Sequence, residues 1–257
     1  MPGLRGPNAV PALVAVLLLA VACGRGRATT GVAPTTVSPT VPVTAFALPP
    51  PPPEPAPPPK AVVATARVAR VPIYDAPGAD APVRSFSNPN EYGEPRVFLV
   101  RSVEGEWLNV RLPARPNGST GWLRAEDVTL AEHDWRVEVA LGAHHLTVWK
   151  GAEVVREETV AVGMPGAPTP TGDFYLTELL DPGDPRGPYG PWAFGLSAYS
   201  DVYTSFAGGP GQVGLHGTNQ PGALGTDASH GCVRMTNEAI AALAEQLPIG
   251  TPVKIVP

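Results

Sequence analysis

Only two cysteines occur in the 257 residues, Cys23 and Cys232. One disulfide is the most they can make, and it would tie a proline-rich tail to the Cys232 loop. That bridge would stabilise little folded structure and consume the thiol with the richer surroundings, so the chain reads as free of disulfides. Charge is scarce as well. Charged residues make up 16 % of the chain, the formal net charge is −5, and no long basic run occurs, which argues against nucleic acid as a partner. No internal repeat is visible. The apolar run at residues 12–22 (ALVAVLLLAVA) has eleven residues, whereas a membrane-spanning helix needs about 20.

That run follows Arg5 and suits the core of an export signal. It ends in Ala20-Val21-Ala22-Cys23-Gly24, which resembles a bacterial lipobox with alanine at position 20 where leucine is usual. The resemblance implies a lipoprotein with Cys23 lipidated as its first mature residue. An ordinary cleaved signal with an incidental cysteine is the alternative. Both place the remaining domains outside the cytoplasm, in the cell envelope, and lipidation would anchor them to the outer face of the cytoplasmic membrane.

The signal segment thus covers residues 1–23, and residues 24–60 read as a linker. Of the chain's 34 prolines, those at 49–53, 55 and 57–59 form a dense run. Such a segment favours polyproline II and lacks a core. At roughly 3.1 Å per residue it reaches on the order of 100 Å when extended, a spacer that holds a folded domain off a membrane surface.

Residues 61–131 are expected to form short strands: 61–71 rich in valine, 97–103 (VFLVRSV) and 106–112 (EWLNVRL). In the last of these Trp107, Asn109 and Arg111 alternate with Leu108, Val110 and Leu112. Asn117-Gly118 is a hairpin signal. Frequent turns between short strands predict a small β-barrel. The pieces VEGEWLNVRLP, RPNGSTGW and DVTL resemble bacterial SH3-like domains of cell-wall enzymes. This implies a wall-associated module, against the plainer reading of a spacer without a ligand.

Residues 134–257 predict a second β-rich domain. Trp135, Val137, Val139 and Leu141 alternate, and 144–149, 154–162, 173–180 and 251–256 continue the pattern. One helix is expected, with Asn237 as N-cap, Glu238 in the first turn, and Ile240, Leu243, Ala244 and Leu247 at helical spacing. Pro248 and Gly250 end it. The expected fold class is mainly β: a small barrel, then a β-rich domain with a short C-terminal helix.

Chemistry concentrates in Ser229-His230-Gly231-Cys232-Val233-Arg234 and in His216-Gly217-Thr218-Asn219, which begins 16 positions before Cys232. A thiolate is the nucleophilic form of cysteine, and a nearby imidazole is the usual means of generating it at neutral pH. Residues 212–215 read as a strand that delivers His216, and the glycine-rich stretch up to Ser229 as a loop folding back toward Cys232. Gly231 permits unusual backbone angles that aim backbone N–H groups at an oxyanion. The helix near Asn237 starts too far on for its dipole to activate the thiol. Two other readings stand beside this one: a buried structural cysteine, and a zinc site from His216, His230 and Cys232. For zinc, the two-residue spacing of His230 and Cys232 is awkward and a fourth ligand is not evident. His144 and His145 are expected side by side in a strand, His133 in a linker, and Tyr189, Trp192 and Phe194 as pocket wall or core.

HGTNQPGALGTDASHGCVRM resembles the signature of the L,D-transpeptidase catalytic domain, the YkuD type. Gly163-Met164-Pro165-Gly166-Ala167-Pro168-Thr169-Pro170-Thr171-Gly172-Asp173-Phe174 resembles the same family's turn before a strand. The resemblance implies a cysteine acyltransferase that remodels peptidoglycan. Cys232 would be the acylated nucleophile and His216 the proton donor and acceptor, with the Gly217 carbonyl orienting its imidazole. The N–H groups of Gly231 and Cys232 would form the oxyanion hole. Ser229, His230, Arg234 and Asn219 fill supporting motif positions, and residues 189–207 would form a lid or substrate wall. It further implies stem peptides as substrates, carbapenems as acylating inhibitors, and no metal or organic cofactor. The alternatives are a hydrolase or carboxypeptidase with water as acceptor, a wall-anchoring protein with a vestigial site, and attachment of some other amine to the wall.

Overall fold

In the computed structural model, residues 58–206 and 208–257 are described. The export signal, Cys23 and the spacer up to residue 57 lie outside the described residues. Seven strands make an N-terminal module: β1 (Ala61–Ala66), β2 (Arg70–Ile73), β3 (Arg84–Ser87), β4 (Val97–Glu104), β5 (Trp107–Arg111), β6 (Thr120–Arg124) and β7 (Val128–His133). Five of them form an antiparallel sheet in the order β6-β5-β4-β1-β7. The β2-β3 hairpin joins it through a bridge between Tyr74 and Trp122. Val71, Ile73, Phe98, Leu108, Val110 and Leu123 fill its interior.

The second module holds β8 (Trp135–Ala140), β9 (His145–Lys150), β10 (Glu153–Thr159), β11 (Val162–Gly163), β12 (Gly172–Leu180), β13 (Ala193–Tyr199), β14 (Gln212–His216), β15 (Asp227–Ser229), β16 (Val233–Arg234), α1 (Asn237–Gln246) and β17 (Pro252–Val256). Eight strands form one sheet in the order β10-β9-β8-β17-β12-β13-β14-β16. Its pairs β17/β8 and β14/β16 are parallel, and β11 pairs with β15 in parallel beside it. The protein is mainly β, with a single α-helix among the described residues.

The two modules share apolar contacts because β1 is buried on both faces. Successive strand side chains point to opposite sides. Ala64 and Ala66 therefore face the N-terminal core, while Ala61 and Val63 join Val97 and Leu99 around Tyr175 of β12. Tyr175 is fully buried, and its hydroxyl donates to the Val97 carbonyl at 3.1 Å. Burying a side chain the size of Val63 in that seam stabilises it by about 1.5–3 kcal/mol. Both modules belong to one compact unit.

Several local expectations change. The valine-rich stretch 61–71 is two strands with a break after Ala66. Asn117-Gly118 does not close a two-residue hairpin; it sits in the longer loop between β5 and β6, where Ser119 N–H donates to Pro116 O. His133 ends β7 and pairs with Ala61, so it is a strand residue. His144 lies in the turn before β9 with φ +50°, and only His145 is in the strand. Thr236, not Asn237, caps α1: its hydroxyl accepts from Ala239 N–H at 3.0 Å. Within the expected lid at 189–207, residues 193–199 are the core strand β13, with Phe194 and Leu196 fully buried.

Candidate active site

Strand β14 carries alternating buried residues, Val213 and Leu215, and delivers His216 at its C-terminal end, 3 % exposed. Strand β16 lies parallel to it, with Leu215 opposite Val233 and His216 opposite Arg234. Cys232 immediately precedes β16. His216 and Cys232 line one cavity of about 420 Å³, together with Tyr189, Phe194, Gly214 and the residues after β13.

The imidazole is held in one tautomer. His216 Nδ1 lies 2.6 Å from the Gly217 carbonyl oxygen, so Nδ1 carries the hydrogen and donates it, leaving the Nε2 lone pair. Burial pushes the His216 pKa down to about 4, the Gly217 hydrogen bond opposes that, and the Arg234 guanidinium adds to the lowering. Burial also pushes the Cys232 thiol up, against a Gly214 backbone hydrogen bond and Arg234, which lower it. Desolvation disfavours the charged form of each group. Both shifts favour a thiol and a neutral imidazole as the resting pair. The Tyr189 ring meets the imidazole edge-on, with centroids 4.9 Å apart.

The turn before Cys232 is built by Ser229, which is fully buried. Its hydroxyl donates to the Cys232 carbonyl at 2.6 Å and accepts from Gly231 N–H at 3.0 Å. Gly231 sits at φ +118°, a conformation that favours glycine. The Gly231 N–H is thus spent on Ser229, which removes it from the expected oxyanion pair and leaves the Cys232 N–H as the remaining member. Arg234 is backbone-paired with Ala161 in both directions, and its Nε is buried with no partner among the described residues. His230 is exposed and lies over Phe206, centroids 5.3 Å apart. It braces the loop after β13 and does not line the cavity. Asn219 is exposed on the loop beyond His216. Among the described residues no group of three or more His, Cys, Asp or Glu is placed to hold a metal ion.

Four supports were not legible in the sequence. Thr218, 5 % exposed, donates its N–H to Asn237 Oδ1 at 2.7 Å. Asn237 Nδ2 donates to the Pro185 carbonyl at 3.2 Å, so one side chain at the start of α1 ties both loops that flank His216. Gly190 and Gly217 pack against each other and against Asn237. Glu178, 2 % exposed and lining the cavity, accepts from Asn90 at 3.0 Å and from Gln212 at 2.9 Å. A capping-type residue at Asn237 is the one signal the sequence offers, and it serves the loop after His216 instead of the helix.

Residues 134–255 match the family model described as YkuD, L,D-transpeptidase catalytic domain. The putative L,D-transpeptidase YkuD of Bacillus subtilis is 36 % identical over 121 residues, which are 47 % of this chain and 65 % of that protein. The protein of the same name from Bacillus licheniformis is 33 % identical over 123 residues, 48 % of this chain and 66 % of that one. The chain therefore spans just under two thirds of the length of these curated relatives. Among solved structures, an L,D-transpeptidase from Xylanimonas cellulosilytica is 25 % identical, with a TM-score of 0.36 over 48 % of this chain and 61 % of that chain.

Proposed function

We propose that the protein is a peptidoglycan L,D-transpeptidase working through a Cys232 thioester. The supporting observation is a thiol and a neutral imidazole of fixed tautomer lining one cavity, within a segment that matches that catalytic-domain model. As Sγ of Cys232 attacks the carbonyl carbon of an L-to-D amide in a donor stem, Nε2 of His216 takes the thiol proton. The Cys232 N–H stabilises the oxyanion. Burial and Arg234 make the imidazolium a strong acid, so it gives the proton to the departing amine, and the C–N bond breaks. The amine of a neighbouring stem then attacks the thioester. His216 removes the ammonium proton and returns it to the leaving thiolate, restoring the resting pair.

The proposal extends to the setting. An exported lipoprotein anchored through Cys23, with a proline-rich spacer and an SH3-like module, brings this site to the wall from the outer face of the cytoplasmic membrane. The short strands of residues 61–133 support the SH3-like reading. A carbapenem, as a strained acylating lactam, is expected to acylate Cys232 by the same first step. The reaction needs no cofactor.

Incubation of the protein with disaccharide-tetrapeptide, followed by mass spectrometry, tests the assignment. A cross-linked dimer absent with Cys232→Ala is expected. Tripeptide alone would replace the transferase by a carboxypeptidase, and unchanged substrate would remove the enzyme.

A further inference from the structure

One wall of the Cys232 cavity is held from the other module. The chain leaves β13 at Tyr199 and returns to β14 at Gln212, and on the way Phe206, Gly208, Gly209, Pro210 and Gly211 line the cavity. The N-terminal module grips that excursion through its loop between β5 and β6. Arg115 donates to three carbonyls of it: Pro210 at 2.9 Å, Ser200 at 3.1 Å and Tyr203 at 2.9 Å. Its guanidinium also lies 4.8 Å from the centre of the Tyr199 ring. Asn117 brackets the start of the excursion, donating to Tyr199 O at 2.7 Å and accepting from Tyr199 N–H at 2.9 Å. The Tyr199 hydroxyl in turn donates to Pro113 O at 3.1 Å.

The same module reaches the cavity directly. Tyr92 lines it, and its hydroxyl donates to Gln212 Oε1 at 3.3 Å. Two modules that merely adjoined would not need one planar cation to satisfy carbonyls on both sides of a loop neck. Hydrogen bonds from a charged donor are among the stronger ones, and a guanidinium spanning three acceptors fixes their spacing. The gripped segment is also the one on which His230 rests, two residues before Cys232.

We propose that the N-terminal module is a constituent of the substrate cleft: Arg115 and Asn117 are positioning residues that fix one wall of the Cys232 cavity, and Tyr92 adds to that wall. The inference rests on the transpeptidase reading for its substrate. Arg111 provides the control, because it bridges the modules elsewhere, through Asp173 at 2.8 Å.

The full-length chain is prepared as wild type, Arg115→Met, Arg115→Lys and Arg111→Met, with thermal unfolding recorded for each. KM and kcat are measured with disaccharide-tetrapeptide. The rate of alkylation at Cys232 by a bulky maleimide is followed by mass spectrometry of the Cys232 peptide. Arg115→Met is expected to raise KM about tenfold with kcat held within about twofold, and to speed alkylation about tenfold. Arg115→Lys, with charge but no fork, should fall between, and Arg111→Met should match wild type in all three. The inference is overturned if Arg115→Met leaves both readouts unchanged, or if Arg111→Met moves them equally. Should wild type not turn over the tetrapeptide, the transpeptidase reading fails, while the alkylation ratio between Arg115→Lys and Arg111→Met still decides the positioning role.

Discussion

Gly190 and Gly217 lie back to back: a Cβ on Gly190 would fall 2.7 Å from the Gly217 α-carbon and would also strike Asn237 Oδ1. The Gly217 carbonyl oxygen lies 2.6 Å from His216 Nδ1, so a clash at Gly190 would displace the acceptor that holds the imidazole. Gly190 has φ +66° as well. Gly190→Ala is therefore expected to cost on the order of 1–3 kcal/mol of stability. It should also lower kcat/KM by about a hundredfold, because the displaced acceptor no longer fixes Nδ1–H. Chemical denaturation and steady-state kinetics on the same variant check both.

Asn237 and Thr236 separate capping from site support. Thr236→Ala removes the cap of α1 and should cost about 1 kcal/mol while leaving kcat unchanged. Asn237→Ala keeps the cap but frees Thr218 N–H and Pro185 O, and should lower kcat by about tenfold or more. Equal kinetic effects from the two variants would contradict this division.

The acid limb of the pH profile follows from His216. Its folded pKa, about 4, lies below the ordinary histidine value of 6.5. In the proposed mechanism the neutral imidazole is the base and is present above the folded value, so kcat/KM should stay level from neutral pH down to about 5 and fall through about 4. Stability runs the same way. The unfolded chain binds the proton first, so the depressed pKa gives a contribution fully present above 6.5 and lost as pH falls through 4, about 3 kcal/mol in all. Urea titrations of wild type and His216→Gln across that window should differ in slope.

Ser229→Ala tests the turn at the nucleophile. The variant strands the buried Gly231 N–H and should cost about 1–3 kcal/mol. Alkylation of Cys232 should change in rate while the helix signal in circular dichroism stays.

The sequence was most legible where one strand or one motif carried the information. The strand-like run at 212–215 is expected to deliver His216 at its end, and β14 does so, running Gln212–His216 with Val213 and Leu215 buried. The mainly β class follows from the alternation in segments such as 135–141. What stayed hidden depends on contacts between distant segments. Asn237 looks like a cap because caps are local, whereas its partners are 19 and 52 residues away. Arg115 sits in a loop with nothing nearby to mark it, and its three acceptors lie 85 to 95 residues on. Motif position implies an oxyanion role for the Gly231 N–H, whereas the fold has the Ser229 hydroxyl accepting it. Burial, which pushes the His216 pKa down and the Cys232 thiol up, is likewise a property of the assembled core.

Intact-protein mass spectrometry after rapid mixing with disaccharide-tetrapeptide reads a covalent acyl group on Cys232 directly. The expected result is a mass increase equal to the donor less the free D-amino acid released, located to the peptide containing Cys232 and absent from Cys232→Ala. Product formation by Cys232→Ala, or an adduct on any other residue, would contradict it.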